Sequence, residues 1–246
     1  PRLADTSKFY VSLARTRMVF QGNLSAYENE VNRSSETVRE LGLVLDDPGQ
    51  FSQPMYALLY YLPYILIPDF YWSLALWLAV NQIMCYFTFM MLLDIFNFKL
   101  EEKFKALGAL ILFLTYFTAL NVLNTNLSMV QIFLLVAAFY RIQKRNFIFS
   151  GILLGLATFN PFSLLLPLVL LILLNIHNGR ANVNLWMLIT VGLLSMALVI
   201  FDMRWVLEMI KVWLLKPDFY PLVSYRSYIS SIFPRVDSNL VTLLPL

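Results

Sequence analysis

The 246-residue chain is 59% hydrophobic and only 13% charged, with a net charge of +3. Soluble domains are roughly 45–50% apolar and about 25% charged, and a 28.5 kDa globule has too little polar surface to cover this much hydrocarbon. A soluble globule, a disordered tail and a nucleic-acid binder are therefore excluded, and the mean hydropathy of +0.68 assigns the excess apolar surface to lipid. The expected fold class is all-α: a multi-pass transmembrane helical bundle with a non-cytoplasmic N-terminal cap of amphipathic and juxtamembrane helices. A lone cysteine, Cys85, excludes an internal disulfide or a Cys-based metal site, and a lone histidine, His177, argues against a His-rich metal site or a His-centred triad.

Residues 1–53 form the expected cap loop, carrying six basic and seven acidic residues and no window apolar enough to span a bilayer. Within it, residues 6–20 place Phe9, Leu13 and Phe20 on one helical stripe with Lys8, Arg15 and Arg17 elsewhere, the pattern of an amphipathic helix on the membrane surface. Residues 54–68 are apolar but short and are interrupted by Pro63, as in a re-entrant or interfacial helix. Residues 70–203 are the expected transmembrane bundle of about six spans: 70–95, 106–123, 127–140, 147–159, 162–176 and 184–203. Several are short, which calls for tilted, half-length or protein-shielded helices. Residues 204–246 read as an interfacial helix followed by a non-cytoplasmic loop. The opening at Pro1 without Met, and the ending at Leu246 with no further span, suggest a piece of a longer protein.

Charge in the connections orients the weave. Loops 97–105, 141–146 and 177–183 carry Lys99, Lys103, Lys105, Arg141, Lys144, Arg145 and Arg180, whereas 124–126 and 158–161 carry no charge. The positive-inside rule places the first group in the cytoplasm. Residues 1–53 then lie on the far side, provided that 54–68 dips in and returns, or lies flat. The expected location is a multi-pass integral membrane protein of the cytoplasmic (plasma) membrane, or of the endoplasmic reticulum membrane in a eukaryote.

Walker, dinucleotide, GxSxG, HExxH and CxxC signatures are absent from the sequence. What remains is polar residues in expensive places. Asp69, Asp94 and Asp202 fall at helix ends, where carboxylates reach headgroups or cap a helix. Asn81 and Gln82 lie mid-span and read as interhelical hydrogen-bonders. Gly151 and Gly155 form a GxxxG pair whose ordinary role is close helix packing. Asn-x-Ser sequons begin at Asn23, Asn32 and Asn126 and decide nothing, since they arise readily by chance.

The run Asp5-Thr6-Ser7-Lys8-Phe9-Tyr10, then Ala14, then Gly22 to Tyr27, resembles the opening of polytopic GT-C glycosyltransferases, most closely the polyprenyl-phosphate-mannose-dependent mannosyltransferase family. Phe51, Pro54, Leu58, Pro63, Pro68 and Trp77 follow the order of that family's aromatic-Pro stretch, and Arg145, Ser150-Gly151, Leu154 to Ala157 and Pro161 resemble its next segment. Departures stand at Asn124-Thr125-Asn126, in place of Gly-Gln, and at Asn160, in place of Lys. The resemblance implies transfer of a sugar from a polyprenyl-phosphate donor to an acceptor hydroxyl on the non-cytoplasmic face. A hydroxyl attacks poorly at neutral pH unless a base takes its proton. Asp5 matches the family's catalytic Asp, and the same position suits an N-cap for the following helix.

The departing phosphate calls for stabilisation by a cation or a divalent metal. The far-side candidates are Lys8, Arg15, Arg17 and Arg226; the metal itself is left open. A groove between the cap and residues 54–68 is the expected path of the isoprenoid chain. The expected partners are membrane lipid and the polyprenyl-phosphate sugar, with other membrane subunits if the alternative holds, in which the chain is a non-catalytic, degenerate GT-C-like subunit. A transporter is the third and weakest reading, because no span carries a charge near its middle.

Overall fold

The computed structural model describes residues 7–20, 53–114, 127–199 and 202–215. Asp5, Arg226, residues 21–52, residues 115–126 with Asn124–Asn126 among them, and residues 216–246 lie outside the described residues.

Every regular element among the described residues is helical. Helix α1 (Ser7–Phe20) precedes a 3-10 segment (Met55–Tyr61) and the one-turn α2 (Leu62–Ile65). The apolar runs follow as α3 (Phe70–Ile95), α4 (Glu102–Leu114), α5 (Ser128–Gln143), α6 (Phe147–Ala157), α7 (Pro161–His177) and α8 (Ala181–Val199). Helix α9 (Trp205–Leu215) ends the described chain.

Two of these helices, α3 and α8, are long and apolar enough to cross a membrane. Only 22% and 17% of their most apolar windows are buried inside the protein. A soluble core helix of such hydropathy would be hidden; these present Ile83, Phe87, Leu188, Leu193 and Met196 outward, which is stable only against hydrocarbon. The chain is an all-α membrane bundle.

Small residues set the tightest seam. A Cβ built on Gly151 would lie 2.5 Å from the Val183 carbonyl oxygen and 2.6 Å from Trp186 Cβ, and one on Gly155 would lie 2.7 Å from Thr190 Cβ. The GxxxG pair thus lets α6 and α8 approach backbone to backbone, the dispersion-driven packing that lipid favours. Hydrogen bonds sew the other seams: Ser150 Oγ donates to the Ala138 carbonyl at 2.9 Å, and Asn175 Nδ2 donates to Asn184 Oδ1 at 3.1 Å.

Helix order and cross-links define two ends. At one, Lys144 Nζ pairs with Asp94 at 3.4 Å and Gln143 Nε2 donates to the Ile95 carbonyl at 3.3 Å. The turns after α3, α5 and α7 share one geometry there: Asn97, Arg145 and Gly179 have positive φ (55°, 57° and 66°). In each, the following N–H reaches back five residues: Phe98 to Leu93, Asn146 to Arg141 and Arg180 to Asn175. This is the Schellman closure, which satisfies helix-end carbonyls within the chain. The turns bearing Lys99, Arg145 and Arg180 therefore share one end of the bundle, and α1, the 3-10 segment and α2 gather at the other.

Gly151→Ala is expected to lower the melting temperature in detergent, by the equivalent of about 1–3 kcal/mol for overpacking. Gly192→Ala, in the same bundle but with nothing within 4 Å of a built Cβ, should leave it unchanged or raised. Equal effects of the two would remove the α6–α8 seam as the reason for Gly151.

Candidate functional site

Helix α6 has only 11 residues and ends inside the protein, with Ala157 fully buried. Its last carbonyls have no intrahelical partners and, in apolar surroundings, need donors. Neighbouring elements supply them. Tyr60 Oη donates to the Leu156 carbonyl at 2.7 Å, and Gln131 Nε2 reaches the Ala157 and Asn160 carbonyls, each at 3.0 Å. The Tyr56 hydroxyl lies 3.0 Å from the Thr158 carbonyl and 2.8 Å from its hydroxyl, and that hydroxyl donates back to the Gly155 carbonyl at 2.7 Å. The aromatic segment at 54–68 is thus fixed to the bundle by capping a buried helix end.

Helix α1 docks on this platform. Phe9, fully buried, sits among the rings of Trp77, Tyr61, Tyr64 and Phe70 at centroid distances of 5.3–6.1 Å. Such edge and offset contacts add about 0.5–1.5 kcal/mol per pair to the area buried. Trp77 stacks on Tyr61 at 5.3 Å and 14°. Leu13 and Val19 extend the buried face, and a hydrogen bond joins Ser12 to the Tyr61 hydroxyl. Burial pushes the Tyr61 phenol up to about 12, against the smaller opposing effect of Ser12, so it stays neutral throughout the physiological range.

Several expectations change here. Arg15 does not lie on a solvated face: it is 3% exposed, beside the fully buried Thr16. Thr16 removes its own polar cost by donating to the Ser12 carbonyl at 2.6 Å. Arg17 is half-buried and donates from Nη2 to the Ile67 carbonyl at 2.8 Å, joining α1 to the turn before α3. Side-chain placement of Lys8 lies outside the described set, as do Asp5 and Arg226. Phe9 and Leu13 pack α1 onto the 54–68 segment, whose aromatic platform is apolar enough to draw the helix down onto it; the expected isoprenoid groove between the cap and residues 54–68 also involves residues 21–52, which lie outside the described residues.

The intramembrane acids serve helix ends. Asp69 N-caps α3 by accepting from the Trp72 N–H at 2.9 Å, Asp202 accepts from the Arg204 N–H at 2.9 Å, and Asp94 pairs with Lys144. Asn81 is not an interhelical link: it donates to the Trp77 carbonyl of its own helix at 2.8 Å. Gln82 points out of the bundle. Among the described residues no group of three His, Cys, Asp or Glu side chains is arranged to hold a metal. Gln131, Tyr56 and Tyr60 were missed as organising residues. Their only sequence signals were a lone amide opening an apolar run and a cluster of tyrosines around Pro63.

Gln131→Leu should cost about 1–3 kcal/mol by leaving buried carbonyls unpaired, read as a lower melting temperature; an unchanged value would show that other donors replace it. The pH dependence has a definite sign. The neutral Tyr61 phenol is favoured in the folded state, so its contribution is complete below about pH 10 and is lost as pH rises from there through about 12. Tyr61→Phe should flatten that alkaline loss in a pH series of melting curves, and a loss of equal size in the variant would exclude Tyr61 as its source.

The model described as Glycosyltransferase family 87 matches residues 51–220. No curated protein and no solved structure matches the chain. The match takes in the aromatic platform, α3 to α8 and α9, leaving only α1 among the described helices outside it. With more than two thirds of its length matched and an all-α membrane bundle as its fold, the chain belongs to glycosyltransferase family 87 and is a membrane glycosyltransferase.

Proposed function

We propose that this chain transfers a sugar from a polyprenyl-phosphate donor to an acceptor hydroxyl on the non-cytoplasmic face of the membrane, with α3 to α8 woven across it. The observation that carries the reading is the position of Arg17. A half-buried guanidinium is held at the end of the bundle opposite Lys99, Arg145 and Arg180, the basic turns that the positive-inside rule assigns to the cytoplasm. One Nη2 hydrogen bond anchors it to the Ile67 carbonyl, and a guanidinium has five N–H donors in a fork that suits phosphate. The membrane is the cytoplasmic (plasma) membrane, or that of the endoplasmic reticulum in a eukaryote.

The chemistry follows from the bonds exchanged. The acceptor oxygen forms a bond to the anomeric carbon while the bond from that carbon to the phosphate oxygen breaks, leaving its electron pair on the lipid phosphate. Asp5, two residues before α1, takes the acceptor proton as base. Arg17, with Lys8, Arg15 and Arg226 as further candidates, stabilises the charge on the departing phosphate; a divalent cation is an additional source of the same stabilisation. A specific sequence feature favours a second reading, a non-catalytic subunit of a larger assembly. Asn160 stands where the resembled pattern has Lys, and its backbone carbonyl is engaged by Gln131.

The test uses the whole chain in proteoliposomes with a polyprenyl-phosphate sugar and an acceptor. Wild-type protein should transfer, and Asp5→Asn should lower the rate about 10²- to 10⁴-fold. Because Asn caps a helix as well as Asp does, melting temperature should hold, which separates the base from the cap. Arg17→Gln should raise KM for the lipid phosphate more than it lowers kcat. Transfer by Asp5→Asn at the wild-type rate would remove Asp5 as base, and absence of transfer by the wild type would favour the subunit.

A further inference from the structure

Among the described residues at the basic end, each acid already has its cation. Asp94 pairs with Lys144 at 3.4 Å, Glu101 with Lys103 at 3.5 Å and Glu102 with Lys105 at 2.6 Å. Lys99, Arg141, Arg145 and Arg180 are left without a carboxylate partner among those residues. Two of the four belong to one closed turn. Arg145 is its left-handed residue, with φ 57°, and the Asn146 N–H reaches back to the Arg141 carbonyl at 2.9 Å. Arg141 is positioned as well: its Cζ lies 5.1 Å from the centroid of the Phe149 ring, on the first turn of α6. A cation held over a ring face spends none of its N–H donors on being held.

The apolar side chains at this end show what lies against them. Phe96 and Phe98 follow the last turn of α3, 65% and 62% exposed, with centroids 6.3 Å apart. Phe104 on α4 and Ile148 on α6 are also exposed. Helix α3 turns Ile83 and Phe87 to lipid along its length, so the lipid boundary continues to its end, where hydrocarbon meets headgroups. Aromatic rings and long cations share that layer in membrane proteins, the rings toward the acyl chains and the charge toward the phosphates. A zwitterionic headgroup carries its own cation and leaves these four uncompensated. An acidic one supplies the missing charge.

We propose that the basic end of the bundle binds acidic phospholipid, with a headgroup phosphate on the Arg141 and Arg145 guanidiniums and the exposed rings against its acyl chains. The phosphate accepts from N–H donors that the α5–α6 turn has already oriented, and a guanidinium fork suits it better than a lysine point charge. Lys99 and Arg180 add attraction from the neighbouring turns, which share that end. The proposal rests on α3 crossing the membrane and is independent of the residues assigned to sugar transfer.

The test releases the whole chain from bilayers of equal phosphatidylglycerol and phosphatidylcholine and counts the retained lipids by native mass spectrometry. Wild-type protein should keep phosphatidylglycerol in preference, and the double variant Arg141→Gln, Arg145→Gln should lower that preference about 10- to 30-fold, at roughly fivefold per cation. Arg141→Lys with Arg145→Lys should retain most of it, which guards against a variant that fails to fold. Lys211→Gln, an exposed cation on α9 at the opposite end, should change nothing. A wash with inorganic phosphate should leave the lipid in place, since free phosphate has no acyl chains to lie against the rings. Equal retention of the two lipids, an undiminished preference in the double Gln variant, an equal loss in Lys211→Gln, or displacement by inorganic phosphate each overturns the proposal.

Discussion

A helix that stops inside an apolar protein leaves carbonyls that neither water nor lipid can satisfy. Helix α6 stops that way at Ala157, and much of the architecture at its end of the bundle answers the resulting demand. Tyr60 and Gln131 close the Leu156 and Ala157 carbonyls, and Tyr56 with Thr158 closes the next turn. Three elements far apart in sequence are thereby tied to one point. The short aromatic segment is held there by hydrogen bonding and packing together, and its outward rings become the floor on which α1 rests. An unmet carbonyl inside hydrocarbon is costly enough to make this arrangement a condition of the fold.

The two ends of the bundle solve the same terminal problem differently. At the basic end, three turns close their own carbonyls through left-handed residues at Asn97, Arg145 and Gly179. A neighbouring helix adds one donor there, Gln143 Nε2 to the Ile95 carbonyl, and Lys99 and Arg145 stay exposed to solvent and headgroups. At the other end the closures come from distant side chains. A self-closed end can vary in its loop chemistry without disturbing the bundle. The cross-linked end couples helix packing to the placement of α1, and hence to the position of Arg17.

The lipid-facing sides show what packing lacks there. Between helices in hydrocarbon, burial of apolar area gives little advantage, because lipid tails are as apolar as leucine. The seams are accordingly made of glycine contacts, as at Gly151 and Gly155, or of short polar bonds, as at Ser150–Ala138 and Asn175–Asn184. Helix α8 turns Leu185, Leu188, Leu193 and Met196 outward.

Sequence alone determined the all-α membrane class, because composition bounds how much hydrocarbon a chain can hide. It also located the apolar helices from run length and anticipated the Gly151–Gly155 seam, since small-xxx-small spacing is local and periodic. The helix-end roles of Asp69, Asp94 and Asp202 were legible for the same reason: a cap is a relation between residues a few positions apart. Tertiary structure decided what depends on residues distant in sequence. The Gln131 link to α6 spans 26 residues and the Tyr56 link to Thr158 spans 102, and no local pattern announces either. The burial of Arg15 and the docking of α1 on the aromatic platform were decided in the same way, because an amphipathic stripe shows that a helix has an apolar face but not which surface will meet it.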